Sequence, residues 1–293
     1  MDFNQAILFG QLIGAAYDVP ATDLTNRAGS VIPAGQGPLQ TDFTVITSLY
    51  TNDLSTDVNK LRAEIPVTIG LVLQSAAGDA VVAIRGTEGI FEWIHDAAFL
   101  PVPCPFLSSA GNTEDGFTAM YRAMSIAVTP GSPSVTSALP SLPWKKKPIN
   151  SLTICGHSLG GALATLLALD VAAHSTDSVF KSLVSYTYAS PRTGDSTFAN
   201  VYNRVVPMTF RIANRLDLVP KLPLPPLYEH VNTLIDLNPV KLFPPQALVK
   251  FEIPCEHFLT SYLHLLSLQA GAATLPLDPA CVPAAGVHLP TLH

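Results

Sequence analysis

The residues with the clearest chemical potential surround Ser158. Residues 154–162 read Ile-Cys-Gly-His-Ser-Leu-Gly-Gly-Ala, and an apolar run without a helix breaker continues to residue 169. A short strand, a sharp turn and a long helix form a nucleophile elbow, which exposes a serine hydroxyl at the top of a sheet. Gly156 and Gly160 are expected where a Cβ atom would collide with a neighbouring strand or helix. Ser158 is therefore our candidate nucleophile for attack on an ester or amide carbonyl.

Such a nucleophile needs hydrogen-bond donors for the negative charge that develops on the substrate oxygen. Leu159 would begin the helix, where backbone N–H groups have no acceptor within the helix. A second donor is expected from the strand that ends in Ile-Arg-Gly-Thr at residues 84–87. There Gly86 permits a sharp turn and Thr87 offers its N–H. The alternative is a strand-ending turn in which Thr87 acts only as a cap.

A serine nucleophile also needs a histidine base and a carboxylate that orients the imidazole. In α/β-hydrolases the acid follows the serine in the chain, and the histidine follows the acid. Asp217 comes directly after an apolar strand, in Asn-Arg-Leu-Asp-Leu-Val-Pro, and we favour it as the acid. Asp195 is the alternative, but it precedes a helical pattern that contains Phe198 and is better explained as a helix-start residue.

The histidines that follow this acid are His230, His257, His264, His288 and His293. We favour His257 as the base, because it opens an apolar run and a loop-to-helix junction can project an imidazole into a site. His264 lies two helical turns later on the same face and is interpreted as a satisfied core or surface histidine. His230 stays open as a residue near the mouth of the site, and the last two lie in a proline-rich tail without an evident scaffold.

The composition predicts a large core and argues against several classes of partner. The 293 residues are 48% hydrophobic and 13% charged, against roughly 25% charged in an average soluble domain. The net charge is −6 and no basic stripe dominates, so nucleic acid is not an expected partner. No apolar run reaches about 18 residues, so no transmembrane helix is predicted. The histidines lack a metal-ligand spacing such as His-x-x-x-His, and no cofactor is expected.

Strands and helices alternate along the chain, which predicts an α/β fold in a single domain, with a largely parallel sheet. The pattern predicts a first helix over Phe3–Tyr17, a hairpin over residues 67–86 and a central helix from Leu159 to about His174. Residues 18–64 have a mixed pattern, in which prolines and glycines mark loops. Residues 100–112 carry three prolines and are predicted to be irregular.

The amino-terminal stretch and the cysteines bear on location and cross-linking. The first residues lack a basic n-region, and the stretch after them contains Gln11 and two glycines, which makes a poor signal core. We expect no signal peptide and a cytoplasmic location by default, with secretion left open. Of the four cysteines, Cys155 is expected to be a buried free thiol, whereas Cys255 and Cys281 flank the carboxy-terminal segment and could pair.

Taken in order, these patterns resemble the class 3 lipase family, the fungal-lipase-like branch of the α/β-hydrolases. The similarity runs from about Gly70 to Leu268, roughly two-thirds of the chain. The motifs that carry it are Ile-Arg-Gly-Thr at 84–87, Trp-Ile-His-Asp at 93–96, Asp-Gly-Phe at 115–117, the elbow at 156–162, Ser-Pro-Arg-Thr-Gly-Asp at 190–195, Asp-Leu-Val-Pro at 217–220, and His257 with Tyr262.

The resemblance implies the α/β-hydrolase fold and a carboxylic ester hydrolase. Triacylglycerol lipase, acting through an acyl-enzyme, is the expected activity. The resemblance implies Ser158 as nucleophile, Asp217 as acid and His257 as base. It implies Thr87 and Leu159 as the oxyanion donors.

The resemblance also implies a lid over about residues 88–113 that covers the site. Its apolar residues suit a lipid–water interface, and they are Ile90, Phe91, Trp93 and Ile94. The expected partner is therefore a lipid or another ester. A feruloyl esterase or phospholipase A1 of the same fold is the alternative activity, and a lipid-binding module without turnover is the alternative class.

Overall fold

The computed structural model describes residues 1–35, 37–53, 65–87, 89, 98–129, 131–174, 179–242 and 253–282. All residues predicted to act as nucleophile, base, acid or oxyanion donor are among them. The residues predicted to contact substrate from the lid, and the last two histidines, lie outside the described residues: Ile90, Phe91, Trp93, Ile94, His288 and His293.

An eight-stranded sheet runs through the described chain. Its strands are β1 (Val31–Ile32), β2 (Phe43–Asp53), β3 (Ile65–Ser75), β4 (Ala80–Ile84), β7 (Leu152–His157), β8 (Leu183–Tyr188), β9 (Thr209–Asn214) and β10 (Leu234–Leu237), in that spatial order. The pairings from β1 to β4 are antiparallel, and those from β4 through β10 are parallel. The strands β5 (Pro101–Pro103) and β6 (Asn112–Glu114) form a separate antiparallel pair.

Helices cover both faces of this sheet. They are α1 (Phe3–Tyr17), α2 (Asp115–Ala123), α3 (Val135–Ala138), α4 (Leu159–His174), α5 (Ser196–Val205), α6 (Pro239–Leu242), α7 (Ile253–His257) and α8 (Leu259–Ala270). One buried apolar cluster joins α1 and α8 to one face, and a second joins α2, α3, α4 and α5 to the other. The predicted α/β architecture is therefore confirmed.

The central helix α4 is buried on nearly all sides because apolar and small residues occupy every face of it. Its bounds, and those of α1, agree with the prediction. Residues 80–84 pair with β3 and so form the predicted hairpin, which turns at Gly78. Among the described helices, none has the length and apolar character needed to cross a bilayer.

The prediction that residues 100–112 are irregular is wrong, and the mixed pattern of residues 18–64 did not reveal a strand there. Residues 18–64 contain β2, an eleven-residue strand whose antiparallel pairing with β3 buries Val45 and Leu49. Residues 100–112 contain β5 and a 3₁₀ turn over Ser108–Ala110. Proline lacks a backbone N–H, and a two-stranded ribbon has outer edges where that donor is not required. In both segments, strand pairing between residues distant in sequence therefore determines the secondary structure.

Three histidines have lowered pKa values: His157 and His264, which are buried, and His230, which is half-buried. Burial lowers the pKa of His157 well below its usual range, with His257 as a second cause. Burial, followed by the charge of Arg211, lowers the pKa of His230 to about 3. Burial also lowers the pKa of His264. Each of the three rings lies within hydrogen-bond distance of a backbone carbonyl, which a neutral imidazole satisfies with its single N–H.

These histidines predict that the protein loses stability in mild acid. An unfolded histidine takes up a proton near its ordinary pKa of about 6.5, whereas the folded rings stay neutral to lower pH. Their contribution is complete above about pH 6.5 and is lost as the pH falls toward the folded pKa values, by up to about 1.4 kcal/mol per pH unit for each ring. We expect the urea unfolding midpoint to be lower at about pH 5 than at about pH 8.

The variant His264→Gln provides the matched comparison. Glutamine keeps an N–H donor for the Leu275 carbonyl, which accepts from His264 Nδ1 at 2.6 Å, but it does not titrate. The free energy of unfolding of this variant should therefore depend less steeply on pH than that of the wild type. Identical slopes, or a wild type that is equally stable at both pH values, would contradict neutral burial.

Candidate active site

Ser158 occupies the turn between β7 and α4. Its φ is 58°, in the left-handed region that non-glycine residues seldom adopt. A Cβ on Gly156 would lie 2.0 Å from the carbonyl oxygen of Gly160. A Cβ on Gly160 would lie 2.4 Å from the carbonyl oxygens of Ile84 and Arg85. The two glycines therefore let β7, α4 and the end of β4 meet at the serine, which is the predicted close approach.

The structure brings Ser158, His257 and Asp217 into one hydrogen-bonded chain. Ser158 Oγ lies 2.8 Å from His257 Nε2, and His257 Nδ1 lies 2.8 Å from Asp217 Oδ2. A carboxylate only accepts, so Nδ1 of a neutral imidazole carries the proton and Nε2 accepts the hydrogen bond of the serine hydroxyl. All three residues are buried, and Ser158 has no exposed surface. The geometry suits proton transfer from the serine to the imidazole.

Asp217 follows the carboxyl end of β9 and is held from several sides. Its Oδ1 accepts the N–H of Val219 at 2.9 Å, and its Oδ2 also accepts the hydroxyl of Tyr262 at 2.8 Å. Burial, and then the charge of Asp217, raises the pKa of Tyr262 well above its usual range. The phenol therefore remains a donor, and the carboxylate keeps the orientation that the imidazole of His257 requires. Tyr262 carried no assigned role in the sequence.

Asp195, the alternative acid, lies away from this chain of contacts. Its Oδ1 accepts the N–H of Phe198 at 2.9 Å and caps α5. Its Oδ2 accepts both the backbone N–H and the side-chain N–H of Asn112, each at 2.9 Å. Asp195 is thus a helix-start residue, as predicted, and it also ties α5 to β6.

Two hydrogen bonds hold the backbone that carries His257. Asn214, the last residue of β9, donates its side-chain N–H to the carbonyl of Glu256 at 2.8 Å. His157, the last residue of β7, donates its Nε2–H to the carbonyl of His257 at 2.8 Å. The carboxyl ends of β7 and β9, the two strands that flank β8, therefore hold the backbone at His257. Neither residue carried a predicted role, because their partners are distant in sequence.

His157 also connects the elbow to α1. Since its Nε2 donates, its Nδ1 accepts, and the donor is the hydroxyl of Tyr17 at 2.8 Å. That hydroxyl accepts the backbone N–H of Gly86 at 2.8 Å. One set of hydrogen bonds thus joins the end of β4, α1, the elbow and the base. Sequence gives no signal for Tyr17, which lies 140 positions before its histidine partner.

The expected oxyanion donors border Ser158. Leu159 is the first residue of α4, where the helix has no acceptor for its N–H. A Cβ on Gly86 would lie 2.9 Å from the Cβ of Ser158, so the end of β4 approaches the serine closely. Thr87 follows directly, and its hydroxyl accepts the N–H of Gly89 at 3.3 Å. The hydroxyl of Thr87 thus has the turn-capping role that we kept as an alternative.

The remaining described candidate histidines serve the framework. His230 donates its Nε2–H to the carbonyl of Pro220 at 2.6 Å and so supports the turn that follows Asp217. His264 is buried in α8 and donates to Leu275, in agreement with its interpretation as a satisfied core histidine. Neither is part of the hydrogen-bonded chain that contains the serine.

Comparison with known proteins supports the same assignment. The family described as Lipase (class 3) matches residues 81–226. A lipase of Rhizomucor miehei is 34% identical over 143 residues, which cover 48% of this chain and 37% of that protein. A phospholipase A1-II 7 of Oryza sativa subsp. indica is 29% identical over 217 residues, which cover 67% of this chain and 53% of that protein. The chain thus spans about half or less of the length of these relatives.

Comparison with solved structures gives a lipase of the same kind. A crystal structure of a mutant form of MDLA from Penicillium cyclopium superposes with a TM-score of 0.61 at 25% identity, covering 80% of this chain and 78% of that one. The sheet, its flanking helices and the serine turn are those of the α/β-hydrolase fold, as the sequence predicted. Together, the matched segment and the shared fold show that the chain belongs to the class 3 lipase family.

Proposed function

We propose that this chain is a serine carboxylic ester hydrolase that acts on triacylglycerols. The observation that supports this most directly is the unbroken hydrogen-bonded chain from Ser158 through His257 to Asp217. Such a chain increases the nucleophilicity of the serine hydroxyl toward a carbonyl carbon. Membership in the class 3 lipase family supports an ester as the substrate.

In this proposal Ser158 Oγ attacks the ester carbonyl while its proton passes to His257 Nε2. The imidazolium that forms is stabilised by Asp217, whose second oxygen is already held by the N–H of Val219. His257 then returns the proton to the departing alcohol. Water, activated by the same imidazole, hydrolyses the acyl-enzyme and regenerates the serine.

The charge on the tetrahedral oxygen is assigned to two backbone donors. Leu159 contributes the N–H at the start of α4, where the helix dipole is also favourable. Thr87 contributes the N–H at the end of β4, next to Gly86, which packs against the serine. Loss of one such donor costs on the order of 10²- to 10³-fold in rate. Leu159 begins the helix that follows Ser158, and Thr87 follows Gly86, which packs against Ser158, so little reorganisation is needed.

Access to the serine requires a moving segment, for which we propose the lid expected over about residues 88–113. Ser158 has no exposed surface, so an ester reaches it only after part of the chain moves. Within that range, the hairpin β5–β6 is anchored, because Cys104 and Ala110 are buried in the core next to α2 and α4. Substrate contacts from Ile90, Phe91, Trp93 and Ile94 belong to this proposal.

A set of exposed leucines beside the site supports action at a lipid–water interface. Leu218, Leu224 and Leu227, here called the leucine ridge, are 45%, 66% and 53% exposed. They lie on the loop that follows the proposed acid, at the same edge of the sheet as the nucleophile. Exposed apolar patches of this kind mark surfaces that bind lipid or partners. The loop is well anchored, since the guanidinium of Arg192 donates to the carbonyl of Pro223 at 2.8 Å.

Phospholipase A1 activity is the second candidate. The relative that matches the larger share of this chain, 67%, is named a phospholipase A1. The triad chemistry is the same for either ester, so the difference would lie in recognition of the head group. Parallel assays with triolein and phosphatidylcholine separate the two substrates.

Replacement of the proposed nucleophile or base should abolish hydrolysis. In Ser158→Ala and His257→Ala we expect kcat/KM for p-nitrophenyl butyrate to fall by at least about 10⁴-fold, because each removes a group that the others cannot replace. The measurement is initial rate at saturating and subsaturating ester, with circular dichroism to show that both variants are folded.

The matched control is His264→Gln, which changes a buried histidine of the neighbouring helix that donates to a backbone carbonyl. It should hydrolyse the ester at close to the wild-type rate. Near-wild-type activity in Ser158→Ala would refute the nucleophile. Loss of activity in His264→Gln together with its retention in His257→Ala would reverse the choice of base.

The leucine ridge predicts a separable effect on insoluble substrate. In Leu224→Ser/Leu227→Ser we expect about tenfold slower hydrolysis of emulsified triolein, because less apolar surface is buried at the lipid. Hydrolysis of dissolved p-nitrophenyl butyrate should be unchanged. Met208→Ser is the control, since Met208 is 51% exposed but precedes β9 at the opposite edge of the sheet. Equal losses on both substrates would argue against a lipid contact.

A further inference from the structure

The proposed base lies on a helix that is too short to be stable without contacts to the rest of the fold. His257 is the last residue of α7, a helix of five residues. Isolated helices shorter than about 12 residues are marginal in water, so a helix of this length takes its position from outside contacts. The contacts that hold α7 therefore decide where the imidazole of His257 lies.

One of these contacts is covalent. Cys255, two positions before His257, forms a disulfide with Cys281 across 26 positions of sequence. Both cysteines are buried, at 5% and 2% exposure. The other anchors of this segment described above, from Asn214 and His157, hold backbone carbonyls. The disulfide adds a covalent anchor through the side chain of Cys255.

The far end of the disulfide is itself well fixed. Residues 271–281, here called the C-terminal strap, return along α8 after the left-handed turn at Gly271. The strap packs through the buried Leu275, whose N–H donates to Ser267 Oγ at 3.1 Å and whose carbonyl accepts from His264 Nδ1 at 2.6 Å. Cys281 ends the strap in a short 3₁₀ turn. The disulfide therefore ties α7 to a segment that α8 already holds.

We propose that the Cys255–Cys281 disulfide positions His257, so that its reduction lowers turnover while the fold persists. The inference rests on the proposed ester hydrolysis, in which His257 is the base. A dithiol supplies the two electrons and two protons. One of its thiolates attacks a sulfur of the disulfide, which forms a mixed disulfide and releases one cysteine thiolate; its second thiolate then attacks the mixed disulfide, releases the other cysteine thiolate and closes a cyclic disulfide. Cys255 and Cys281 remain as two thiols, and α7 loses its covalent anchor.

The free cysteines give a clean background for this test. Cys104 and Cys155 are buried and unpaired with each other. Burial raises the pKa of both thiols, which keeps them as unreactive thiols near neutral pH. A Cys104→Ala/Cys155→Ala variant therefore keeps the disulfide and contains no other sulfur that a dithiol or an alkylating reagent can address. Its response to reduction reports on the Cys255–Cys281 pair alone.

The first readout is kinetic. In Cys255→Ala/Cys281→Ala we expect kcat for p-nitrophenyl butyrate to fall by about 10- to 100-fold with little change in KM, because the imidazole is displaced while the ester pocket remains. Dithiothreitol should lower the kcat of Cys104→Ala/Cys155→Ala to the same value, and reoxidation should restore it. It should not change the kcat of Cys255→Ala/Cys281→Ala. Mass spectrometry after alkylation counts the thiols released. Circular dichroism at the assay temperature shows whether the protein is folded.

The second readout does not require turnover. The imidazole Nδ1 proton shared by His257 and Asp217 gives a strongly downfield proton resonance, which Asp217→Asn removes and so identifies. We expect reduction to broaden or shift this signal in folded protein. An unchanged signal and unchanged kcat after complete reduction would overturn the proposal, as would a loss of activity that parallels unfolding. If the oxidised wild type does not hydrolyse esters, the proposed function fails, but the resonance still tests the positioning of His257.

Discussion

The arrangement of the site depends on the close contact between β7 and α4 at Ser158. A serine with positive φ costs about 1–2 kcal/mol relative to a relaxed backbone, and that cost is offset only where the surroundings leave no other path. Here Gly156 and Gly160 allow the strand and the helix to approach until their backbones touch. The same contact places the start of α4 and the end of β4 beside the serine, so the proposed nucleophile and oxyanion donors share one rigid unit.

The proposed base is held differently. Its backbone is reached by Asn214 from β9 and by His157 from β7, while Tyr262 of α8 holds Asp217. Tyr17 of α1 extends this set of contacts to the other face of the sheet. The base therefore depends on contacts from two helices and two strands that are distant in sequence, whereas the elbow depends mainly on the packing of β7 and β4 against α4. A change in the packing of these distant elements should therefore shift the position of His257 more than that of Ser158.

This contrast explains which features could be predicted from sequence. The elbow, α1 and α4 follow from local spacing of small and apolar residues, and their bounds agree with the prediction. The hydrogen bonds of Tyr17 and Asn214 could not be predicted, because nothing local marks a partner 140 or 42 positions away. β2 was missed for a related reason. Its serines and threonines resemble a loop until pairing with β3 buries them.

The central claim is that Ser158 is a nucleophile activated by His257. Its most direct test is covalent labelling with an alkyl fluorophosphonate, followed by mass spectrometry of the digested protein. The account predicts one adduct per chain, located on Ser158, and a large decrease in labelling rate in His257→Ala. No adduct on folded wild-type protein, an adduct on another serine, or equal labelling of both proteins would contradict it.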